Sequence, residues 1–336
     1  MSDLVSILTP CYEHEQYLGG YFESLLNQTY RDIELIFFDD ASGDGSWAKA
    51  LSYEERLGSR FRRVVLRRNE QNVGMIETLG RMRPEIQGDI VCILESDDFL
   101  YRTKVEENVA YLRAHPDVGL VHSDADVQFL NENRWQRSYW RSRGRNIPTG
   151  DVFASLLHEN FILTCTMACR ASLVENHVDF LTYAARGYRT ADYPMFLDLA
   201  RRAPFGYIDR PLAVYRVIEG SISHPNDEVG RREWQFHYYR IKQDYVDSRC
   251  SASTRSRADL QLHESMVELG WASRSAEMFE KGFAWLLQNH PARMSWWLRR
   301  VRGPAIRKAA AWRAARHLEF WVRALRAWPG RRRKRE

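Results

Sequence analysis

The first hundred residues alternate short strand-like runs with stretches of helical spacing. Apolar residues recur every three or four positions at residues 16–27 and 75–82, and another helical stretch follows residue 46. Strand-like runs at residues 5–9, 33–38, 63–66 and 90–94 separate these helical stretches. The uniformly apolar run at residues 91–94 is typical of a strand buried on both faces of a sheet. The order β-α-β-α-β-α-β predicts a mostly parallel sheet with helices on both faces, because such crossovers are right-handed.

The pattern is less regular after residue 100. A helix that contains Val105, Val109 and Leu112 is expected to end before Pro116, and strand-like runs follow at residues 118–123 and 163–169. Residues 125–150 are polar, aromatic and Arg-rich, and no element is predicted for them. From residue 228 onward the spacing is helical, most clearly at residues 234–245 and 260–287.

The pattern predicts one α/β domain, an α/β/α sandwich around a mostly parallel sheet, followed by a helical C-terminal extension. We place the domain at residues 1–225, the helical extension at residues 226–290 and a basic tail at residues 291–336. The tail holds 15 Lys/Arg and two acids, a net charge of +13, whereas residues 1–290 hold 34 Lys/Arg and 42 Asp/Glu, a net charge of −8. The overall charge of +5 therefore hides an acidic body and a basic tail.

Cysteine usage and the N-terminus favour a cytoplasmic location. Five cysteines are scattered apart from the pair Cys165 and Cys169, which indicates reduced thiols and not a disulfide framework. No second Cys/His pair has zinc-ligand spacing. The N-terminus lacks the pattern of a signal peptide, and no apolar run reaches the 18 residues of a membrane span.

Acidic residues follow two of the predicted strands. The run IELIFF continues into Asp39 and Asp40, and IVCIL continues into Glu95, Asp97 and Asp98. Parallel strands end at the same edge, where like charges about 4 Å apart repel by about 1–4 kcal/mol. A divalent cation with oxygen ligands, Mg or Mn, would relieve this repulsion. The alternative is that Asp and Ser only end strands and begin turns, which is the stronger interpretation for the following segment DGS.

The order of these segments matches a known family. SILTPCYEHEQYL, then ESLLNQTYRDIELIFFDDASGDGS, then NVG and GDIVCILESDDF follow one another at compatible spacing. This order resembles the family 2 glycosyltransferases of the GT-A fold, in which P-x-Y-N, D-D-x-S-x-D-G and D-x-D-D recur. The resemblance covers about 220 residues, and it implies an inverting transfer of a sugar from a nucleotide-sugar donor.

The resemblance implies where the donor's base would bind. Thr9, Pro10 and Tyr12 would line it, with the tyrosine ring stacked on the base. Asp39 would accept a hydrogen bond from an imide N–H, which favours uracil or thymine over guanine or adenine. A UDP-sugar is therefore the expected donor.

The resemblance also implies roles at the phosphates and at the acceptor. Asp97 would contact the ribose or the metal, and Asp98 would hold the Mn or Mg ion that bridges the two phosphates. Asp192, in TADYPMFLDLA, would be the catalytic base, a role compatible with capping a helix before a proline. His224 is either a ligand of the metal or diphosphate or an ordinary loop histidine. Arg216 either neutralises phosphate or is a structural ion-pair partner.

The sequence departs from the family pattern in three segments. Glu13 replaces the Asn of P-x-Y-N, and Glu95 replaces the first Asp of D-x-D-D. Leu79 and Gly80 stand where Arg and Asn often follow N-x-G. The Glu95 change keeps the charge that a metal site needs, whereas the other two leave the donor's sugar unassigned.

The basic tail combines tryptophan and arginine. Apolar residues spaced by three or four from Ile306 to Trp328 trace one face of a helix, and the chain ends in RRRKRE. This composition favours a peripheral anchor on the anionic inner face of the cytoplasmic membrane. The alternatives are a terminal helix that packs on the catalytic domain and, as the weakest, nucleic-acid binding, so nucleic acid is not an expected partner.

The expected acceptor is a hydroxyl of a glycan or of a lipid-linked saccharide in bacterial surface polysaccharide biosynthesis. One alternative within enzymes is transfer to a polyprenyl phosphate, whose phosphate nucleophile needs no base. The alternative outside enzymes is a non-catalytic protein that binds a nucleotide-sugar or nucleic acid.

Overall fold

The computed structural model describes residues 3–290, so the predicted basic tail at residues 291–336 lies outside the described residues. Nine strands occur in this part of the chain: β1 (Val5–Cys11), β2 (Ile33–Asp39), β3 (Arg63–Arg68), β4 (Ile90–Ile93), β5 (Phe99–Leu100), β6 (Leu120–Phe129), β7 (Arg134–Gln136), β8 (Ala168–Arg170) and β9 (Phe205–Val217).

The α-helices of the same residues are α1 (Glu15–Leu26), α2 (Ser46–Ser52), α3 (Glu54–Arg60), α4 (Met75–Met82), α5 (Lys104–Ala114), α6 (Phe153–His158), α7 (Ala171–His177), α8 (Phe180–Ala185), α9 (Asp192–Ala200), α10 (Glu228–Tyr245), α11 (Ala252–Ala272) and α12 (Ala276–Asn289). Single turns of 3-10 helix lie at Arg83–Glu85, Arg141–Arg143 and Thr164–Thr166.

The strands of residues 3–290 form one sheet in the order β3-β2-β1-β4-β8-β6-β9-β5, with β7 paired to β6. β1 runs parallel to β2 and β4, β2 to β3, and β6 to β9. β8, β5 and β7 are antiparallel to their neighbours. Six of these nine strands therefore share one direction, which confirms the prediction of a mostly parallel sheet in an α/β fold.

The core explains why the first strands form so regularly. Every residue of β1 and β2 is buried, as expected for strands covered on both faces. α1 buries Leu18, Phe22 and Leu25, spaced by four and three, against this sheet. Complete burial of each such side chain contributes about 1.5–3 kcal/mol. The phenyl ring of Phe22 also stacks on Tyr53 at 4.7 Å between ring centroids, which joins α1 to the chain after α2.

Two predicted elements were wrong in extent. The strand predicted at residues 163–169 begins only at Ala168, because Thr164–Thr166 form a 3-10 turn. In that turn the Thr166 hydroxyl donates to the carbonyl of Leu163 at 2.7 Å, so the side chain stabilises the turn. The helix predicted at residues 260–287 is interrupted after α11, where Arg274 adopts a left-handed backbone with φ of 59°. Ser275 then caps α12 by accepting the N–H of Met278.

The chain divides into two compact units. The first comprises residues 3–226 and 241–255 and contains the sheet. In the second, which includes residues 227–240 and 256–290, α11 and α12 share an apolar cluster, and Arg232 pairs with Glu268 at 2.6 Å. The domain boundaries given above stay a prediction. No helix within residues 3–290 is both long enough and apolar enough to cross a bilayer.

Candidate active site

The acidic segments leave the sheet at one edge, which we call the carboxyl edge: the edge where β1, β2 and β4 end. Cys11 pairs in parallel register with Asp39, and Leu8 pairs with Ile93. The loops after these three strands therefore emerge side by side. Ligands of open parallel sheets bind at this kind of edge.

Hydrogen bonds join the three loops to one another. The backbone N–H of Glu13 donates to the Ser42 hydroxyl, and that of His14 donates to the Ser46 hydroxyl, both at 2.9 Å. The ring Nδ1 of His14 lies 2.8 Å from the hydroxyl oxygen of Ser96. The loop after β1 is thus fixed against the loops after β2 and β4.

Asp39 and Asp40 are adjacent but differ in their partners. Asp39 is fully buried; its Oδ1 accepts the N–H of Ser42 at 3.1 Å and forms an ion pair with Arg68, whose Nε lies 3.1 Å away. Its Oδ2 is buried without a hydrogen-bond partner among residues 3–290. Asp40 has partners on both oxygens, because Oδ1 accepts the N–H of Val73 at 2.9 Å and Oδ2 accepts that of Gly74 at 2.7 Å. Asp40 therefore holds a loop in place, whereas Asp39 keeps one acceptor unused.

The other residues expected around the nucleotide's base differ in exposure. The side chain of Tyr12 is 43% exposed, so its ring is accessible for stacking. Thr9 and Pro10 are buried within β1. The hydroxyl of Thr9 is engaged with that of Tyr21 inside the core, so this side chain does not reach the surface of the site.

The loop after β4 is braced by β9. Asp98 Oδ1 accepts the backbone N–H of Arg216 at 2.8 Å, whereas Oδ2 is buried without a hydrogen-bond partner in the described residues. The guanidinium of Arg216 donates to the carbonyl of Asp97 at 2.7 Å and lies 4.7 Å from the ring centroid of Phe99. These contacts favour the structural role of Arg216. Asp97 itself is 19% exposed and faces His14, with 4.0 Å between Oδ1 and Nδ1.

Each carboxylate in the loop after β4 makes the ionisation of its neighbours less favourable. Burial, then the charges of Asp97 and Asp192, raise the pKa of Glu95 to about 8. Burial, then the charges of Asp97 and Glu95, raise the pKa of Asp98 well above its usual range. Oε2 of Glu95 is a further buried oxygen without a hydrogen-bond partner in the described chain. Positive charge from a ligand would relieve this arrangement.

Asp192, the predicted base, is brought to the same cluster. It is the first residue of α9, where its Oδ1 accepts the N–H of Tyr193 at 2.7 Å and the hydroxyl of Thr190. Oδ2 accepts the hydroxyl of Thr164 at 3.1 Å. Because the charge of Asp192 and the hydroxyl of Thr164 both affect the pKa of Glu95, these side chains lie together.

His224 closes a turn after β9. Its carbonyl accepts the N–H of Gly220 at 2.8 Å, and its Nδ1 lies 3.0 Å from the hydroxyl oxygen of Ser223. Burial lowers its pKa, which keeps the imidazole neutral, the form that binds metal. The ring lies 6.2 Å from that of Tyr215, centroid to centroid.

The side chains of residues 3–290 do not by themselves form a complete metal-binding site. Across residues 3–290, no group of three or more His, Cys, Asp or Glu side chains is arranged to hold a metal ion. Mg sites in enzymes that bind phosphates commonly use one or two carboxylates and complete their coordination with the substrate's phosphates. The unpartnered Oδ2 of Asp98 fits a site of that kind.

Several side chains of the site carried no signal in the sequence. His14 and Ser96 connect the loops after β1 and β4, and Thr164 and Thr190 hold Asp192. Hydroxyl residues are common in loops, and these partners are 82 and 28 residues apart for the first two contacts. Only the folded arrangement identifies them.

The fold and the carboxyl edge define an α/β protein whose acidic residues gather where parallel strands end, and the comparisons identify the family. The family model "Glycosyl transferase family 2" matches residues 6–177. The chain belongs to glycosyltransferase family 2, and it is a glycosyltransferase.

Two relatives show how far the similarity extends. A putative teichuronic acid biosynthesis glycosyltransferase of Bacillus subtilis, TuaG, is 31% identical over 246 residues, which cover 71% of this chain and 88% of TuaG. An uncharacterized glycosyltransferase of Haemophilus influenzae is 24% identical over 236 residues, 68% of this chain and 71% of the relative.

Solved structures share the fold at low identity. S. aureus TarS 1-349 in complex with UDP-GlcNAc has a TM-score of 0.57 at 15% identity, and the match covers 86% of this chain and 82% of TarS. The mannosyltransferase PcManGT from Pyrobaculum calidifontis, in complex with GDP-Man and Mn²⁺, has a TM-score of 0.57 at 14% identity. That match covers 96% of this chain and 84% of PcManGT. These likenesses confirm the GT-A type of α/β fold.

Proposed function

We propose that the protein transfers a sugar from a UDP-sugar to a saccharide hydroxyl, with inversion at the anomeric carbon. One observation carries this proposal: three carboxyl oxygens at the carboxyl edge are buried without hydrogen-bond partners among residues 3–290. They are Asp39 Oδ2, Glu95 Oε2 and Asp98 Oδ2. Buried polar atoms are nearly always hydrogen-bonded, so three exceptions along one edge are best explained by a ligand that supplies the partners.

The base site fits uracil. Oδ2 of Asp39 can accept the imide N–H of uracil, and the exposed ring of Tyr12 can stack on the base. Asp97 would contact the ribose. Thr9 and Pro10 would contribute through the backbone of β1, since both side chains are buried. Proteins of this fold bind either nucleotide, since TarS is in complex with UDP-GlcNAc and PcManGT with GDP-Man, so the proposed preference for uracil rests on Asp39 and Tyr12.

A Mn or Mg ion would be held by Asp98 Oδ2, with His224 as a second candidate ligand. When bound, the ion would neutralise the negative charge that grows on the departing diphosphate. The Mn²⁺ in the PcManGT complex supports a divalent cation for this fold. The brace from Arg216 holds the Asp98 carboxylate in place, because the Arg216 N–H occupies its other oxygen.

Asp192 would act as the general base. The acceptor hydroxyl oxygen attacks the anomeric carbon, the bond from that carbon to the diphosphate oxygen breaks, and the hydroxyl proton passes to Asp192. Thr164 and Thr190 donate to the two carboxylate oxygens and so fix their orientation. A single displacement of this kind inverts the configuration.

The variant Asp192→Asn tests the base. Turnover with a hydroxyl acceptor is expected to fall by about 10²–10⁴-fold, while the affinity for UDP stays unchanged. Asp179→Asn is a matched control, because Asp179 is an exposed residue that also stands at the start of a helix, where it accepts the N–H and the hydroxyl of Thr182. Unchanged turnover of Asp192→Asn with the hydroxyl acceptor would exclude Asp192 as the base. Turnover with a polyprenyl phosphate that is the same in Asp192→Asn and in the wild-type chain would favour that acceptor, whose nucleophile needs no base.

A glycan or lipid-linked saccharide of bacterial surface polysaccharide is the proposed acceptor, and the similarity to TuaG, a glycosyltransferase of teichuronic acid biosynthesis by its description, supports it. Such an acceptor would place the enzyme on the inner face of the cytoplasmic membrane through the tail at residues 291–336. Flotation with phosphatidylglycerol vesicles should retain the full chain and release a chain that ends at residue 290. Equal flotation of both chains would exclude the membrane role of the tail.

The non-catalytic alternative makes a different prediction. A protein that only binds a nucleotide-sugar releases no UDP, whatever acceptor is added. Release of UDP that depends on both the acceptor and a divalent cation would exclude this alternative.

A further inference from the structure

A second feature of the carboxyl edge is a basic loop whose role the donor site does not explain. We call residues 137–145 the arginine loop; it follows the β6–β7 hairpin and contains Arg137, Arg141, Arg143 and Arg145. Within residues 131–145 there are five arginines and one acid, Glu132, although residues 1–290 as a whole are acidic. This concentration of positive charge therefore needs a local explanation.

The strand register places this hairpin beside the catalytic carboxylates. β6 runs in the same direction as β1 and β4, so its C-terminal end lies at the carboxyl edge. Gln128 of β6 pairs with Arg216 of β9 on one side and with Trp135 of β7 on the other. Two strand spacings, about 10 Å, therefore separate the backbone of Trp135 from that of Arg216, which braces Asp98.

Two buried carboxylates anchor the arginine loop. Asp124 accepts the backbone N–H of Trp140 at 2.9 Å and that of Arg141 at 3.2 Å, one on each oxygen. Asp126 accepts the N–H of Ser138 at 2.8 Å and the Nη1–H of Arg137 at 2.5 Å. The path of the loop is thus fixed by the core of the sheet.

The anchoring leaves two guanidinium groups without a counter-charge. Arg137 pairs with Asp126, and Arg145 pairs with Glu159. Arg141 and Arg143 are exposed, and neither pairs with a carboxylate in the part of the chain that the structure describes. Asp124, the acid nearest to Arg141 in the hydrogen-bond network, is engaged by backbone N–H groups.

The guanidinium of Arg143 is held in position despite its exposure. It lies 3.7 Å from the ring centroid of Tyr139, and its Nη2–H donates to Gln136 Oε1 at 3.3 Å. A guanidinium has five N–H donors in a planar fork that matches the two oxygens of a carboxylate or phosphate. Most donors of Arg143 therefore remain available, and stacking reduces the entropy lost when they bind an anion.

We propose that Arg141 and Arg143 bind a carboxylate or phosphate group carried by the acceptor saccharide. This inference rests on the proposed function, because it names the chemical class of that acceptor. Without such a site, the acidic residues at the carboxyl edge would repel an anionic acceptor. The strand that precedes the arginine loop lies about two strand spacings from Arg216, the residue that braces Asp98, so the loop can supply the opposite charge.

A pair of polymers that differ in charge tests the proposal. Polygalacturonate is a chain of carboxylated sugars, and its fully methyl-esterified form is the neutral counterpart. The full-length chain is expected to bind polygalacturonate and not the ester. The double variant Arg141→Gln/Arg143→Gln should weaken that binding by about tenfold or more, the loss expected for two charge-assisted contacts.

The matched control is Arg134→Gln/Arg145→Gln, which removes the same charge from arginines already paired with Glu132 and Glu159. Its affinity should change by less than about threefold. An equal loss in both double variants would reduce the effect to non-specific attraction and overturn the proposal. So would failure of the wild-type chain to prefer polygalacturonate over the ester.

Two further binding measurements show which anionic group the loop binds and whether the donor site proposed above is functional. Phosphorylated dextran against plain dextran separates phosphate from carboxylate, and binding of either anionic polymer through Arg141 and Arg143 supports the proposal. If the Arg141→Gln/Arg143→Gln variant loses affinity only for phosphatidylglycerol vesicles and for neither anionic polymer, the loop binds the membrane and the proposal is overturned. Binding of UDP with Mn²⁺ by the wild-type chain is measured separately, so failure of the donor site is distinguishable from failure of the acceptor site.

Discussion

Two sets of carboxylates, on the strands of one sheet and in the loops that follow them, have opposite environments. In the first set each side chain keeps an oxygen without a partner among residues 3–290: Asp39, Glu95 and Asp98. In the second set both oxygens accept hydrogen bonds: Asp40, Asp124 and Asp126. Burial of an acid therefore does not identify its role, whereas the state of its oxygens does. Satisfied carboxylates hold loops, and unsatisfied ones are available to a ligand.

The two sets also differ in what they do to stability. A buried carboxylate with good partners stabilises the loop that it anchors, because its loss leaves buried N–H donors unpaired. A buried carboxylate without partners destabilises the free protein, and that cost is offset when the ligand binds. Stability and function are therefore expected to separate between the sets.

The largest effect is expected for Asp98→Asn. The amide keeps an oxygen for the Arg216 N–H but loses the negative charge that would hold a cation. Binding of UDP in the presence of Mn²⁺, measured by calorimetry, should weaken by about 100-fold or more. The free energy of unfolding in urea should stay unchanged or rise. Full UDP affinity together with a large loss of stability would place Asp98 in the structural set.

Asp124→Asn should have the opposite profile. Both oxygens of Asp124 accept backbone N–H groups, so the new amide would point an N–H₂ group at a donor. The free energy of unfolding is expected to fall by about 1–3 kcal/mol, while UDP affinity is retained. Urea titration and calorimetry on the same preparation measure both quantities. An unchanged free energy of unfolding in Asp124→Asn would mean that the hydrogen bonds to Asp124 do not stabilise the protein, and the two sets of carboxylates would not differ in this respect.

The raised pKa of Glu95 is expected to make the free energy of unfolding depend on pH. Burial, followed by the charges of Asp97 and Asp192, raises its pKa from 4.5 to about 8 in the folded chain. Between these values the folded chain keeps a proton that the unfolded chain has released, so the free energy of unfolding falls as pH rises.

Urea titrations from pH 4.5 to 8, without divalent cations, should show a smaller slope in Glu95→Gln than in the wild-type chain. The slope is not abolished, because burial also raises the pKa of Asp97 and Asp98. Identical slopes in the two proteins would mean that Glu95 is ionised throughout this range. Burial and the charges of Asp97 and Asp192 would then not raise its pKa.

The smallest effect concerns Glu13, which replaces the Asn of the family pattern. Glu13 has a φ of 55°, in the left-handed region that Asn tolerates better than Glu. Glu13→Asn should raise the free energy of unfolding by about 1 kcal/mol. Glu70→Asn is the control, since Glu70 is an exposed loop residue without a positive φ. A gain in the control and none at Glu13 would exclude strain as the reason.

The first half of the fold was predictable because its elements are local. β1, β2 and β4 are buried runs and β3 is a half-buried edge strand; helices join them, and each element can be read within a short window. The segment order also indicated which edge carries the site. Only the family resemblance singled out Asp39; the residues themselves did not separate Asp39 from Asp40, because that distinction depends on the loop at Val73 and Gly74, more than 30 residues away.

The second half could not be read in the same way. β9 was not predicted, because its thirteen residues include Asp209, Arg210 and Pro211, where the pairing with β6 is irregular. The arginine loop had no readable pattern because side chains of β6 determine its path. In both cases the stabilising contacts are distant in sequence, and local propensity carries no information about them.

Calorimetric titration of the full-length chain with UDP, with and without Mn²⁺, tests the central claim most directly. The unpartnered oxygens of Asp39 and Asp98 predict saturable binding of UDP that is strengthened by Mn²⁺, with GDP and ADP weaker than UDP. A chain that binds neither UDP nor Mn²⁺, alone or together, would contradict a uridine-donor site at the carboxyl edge.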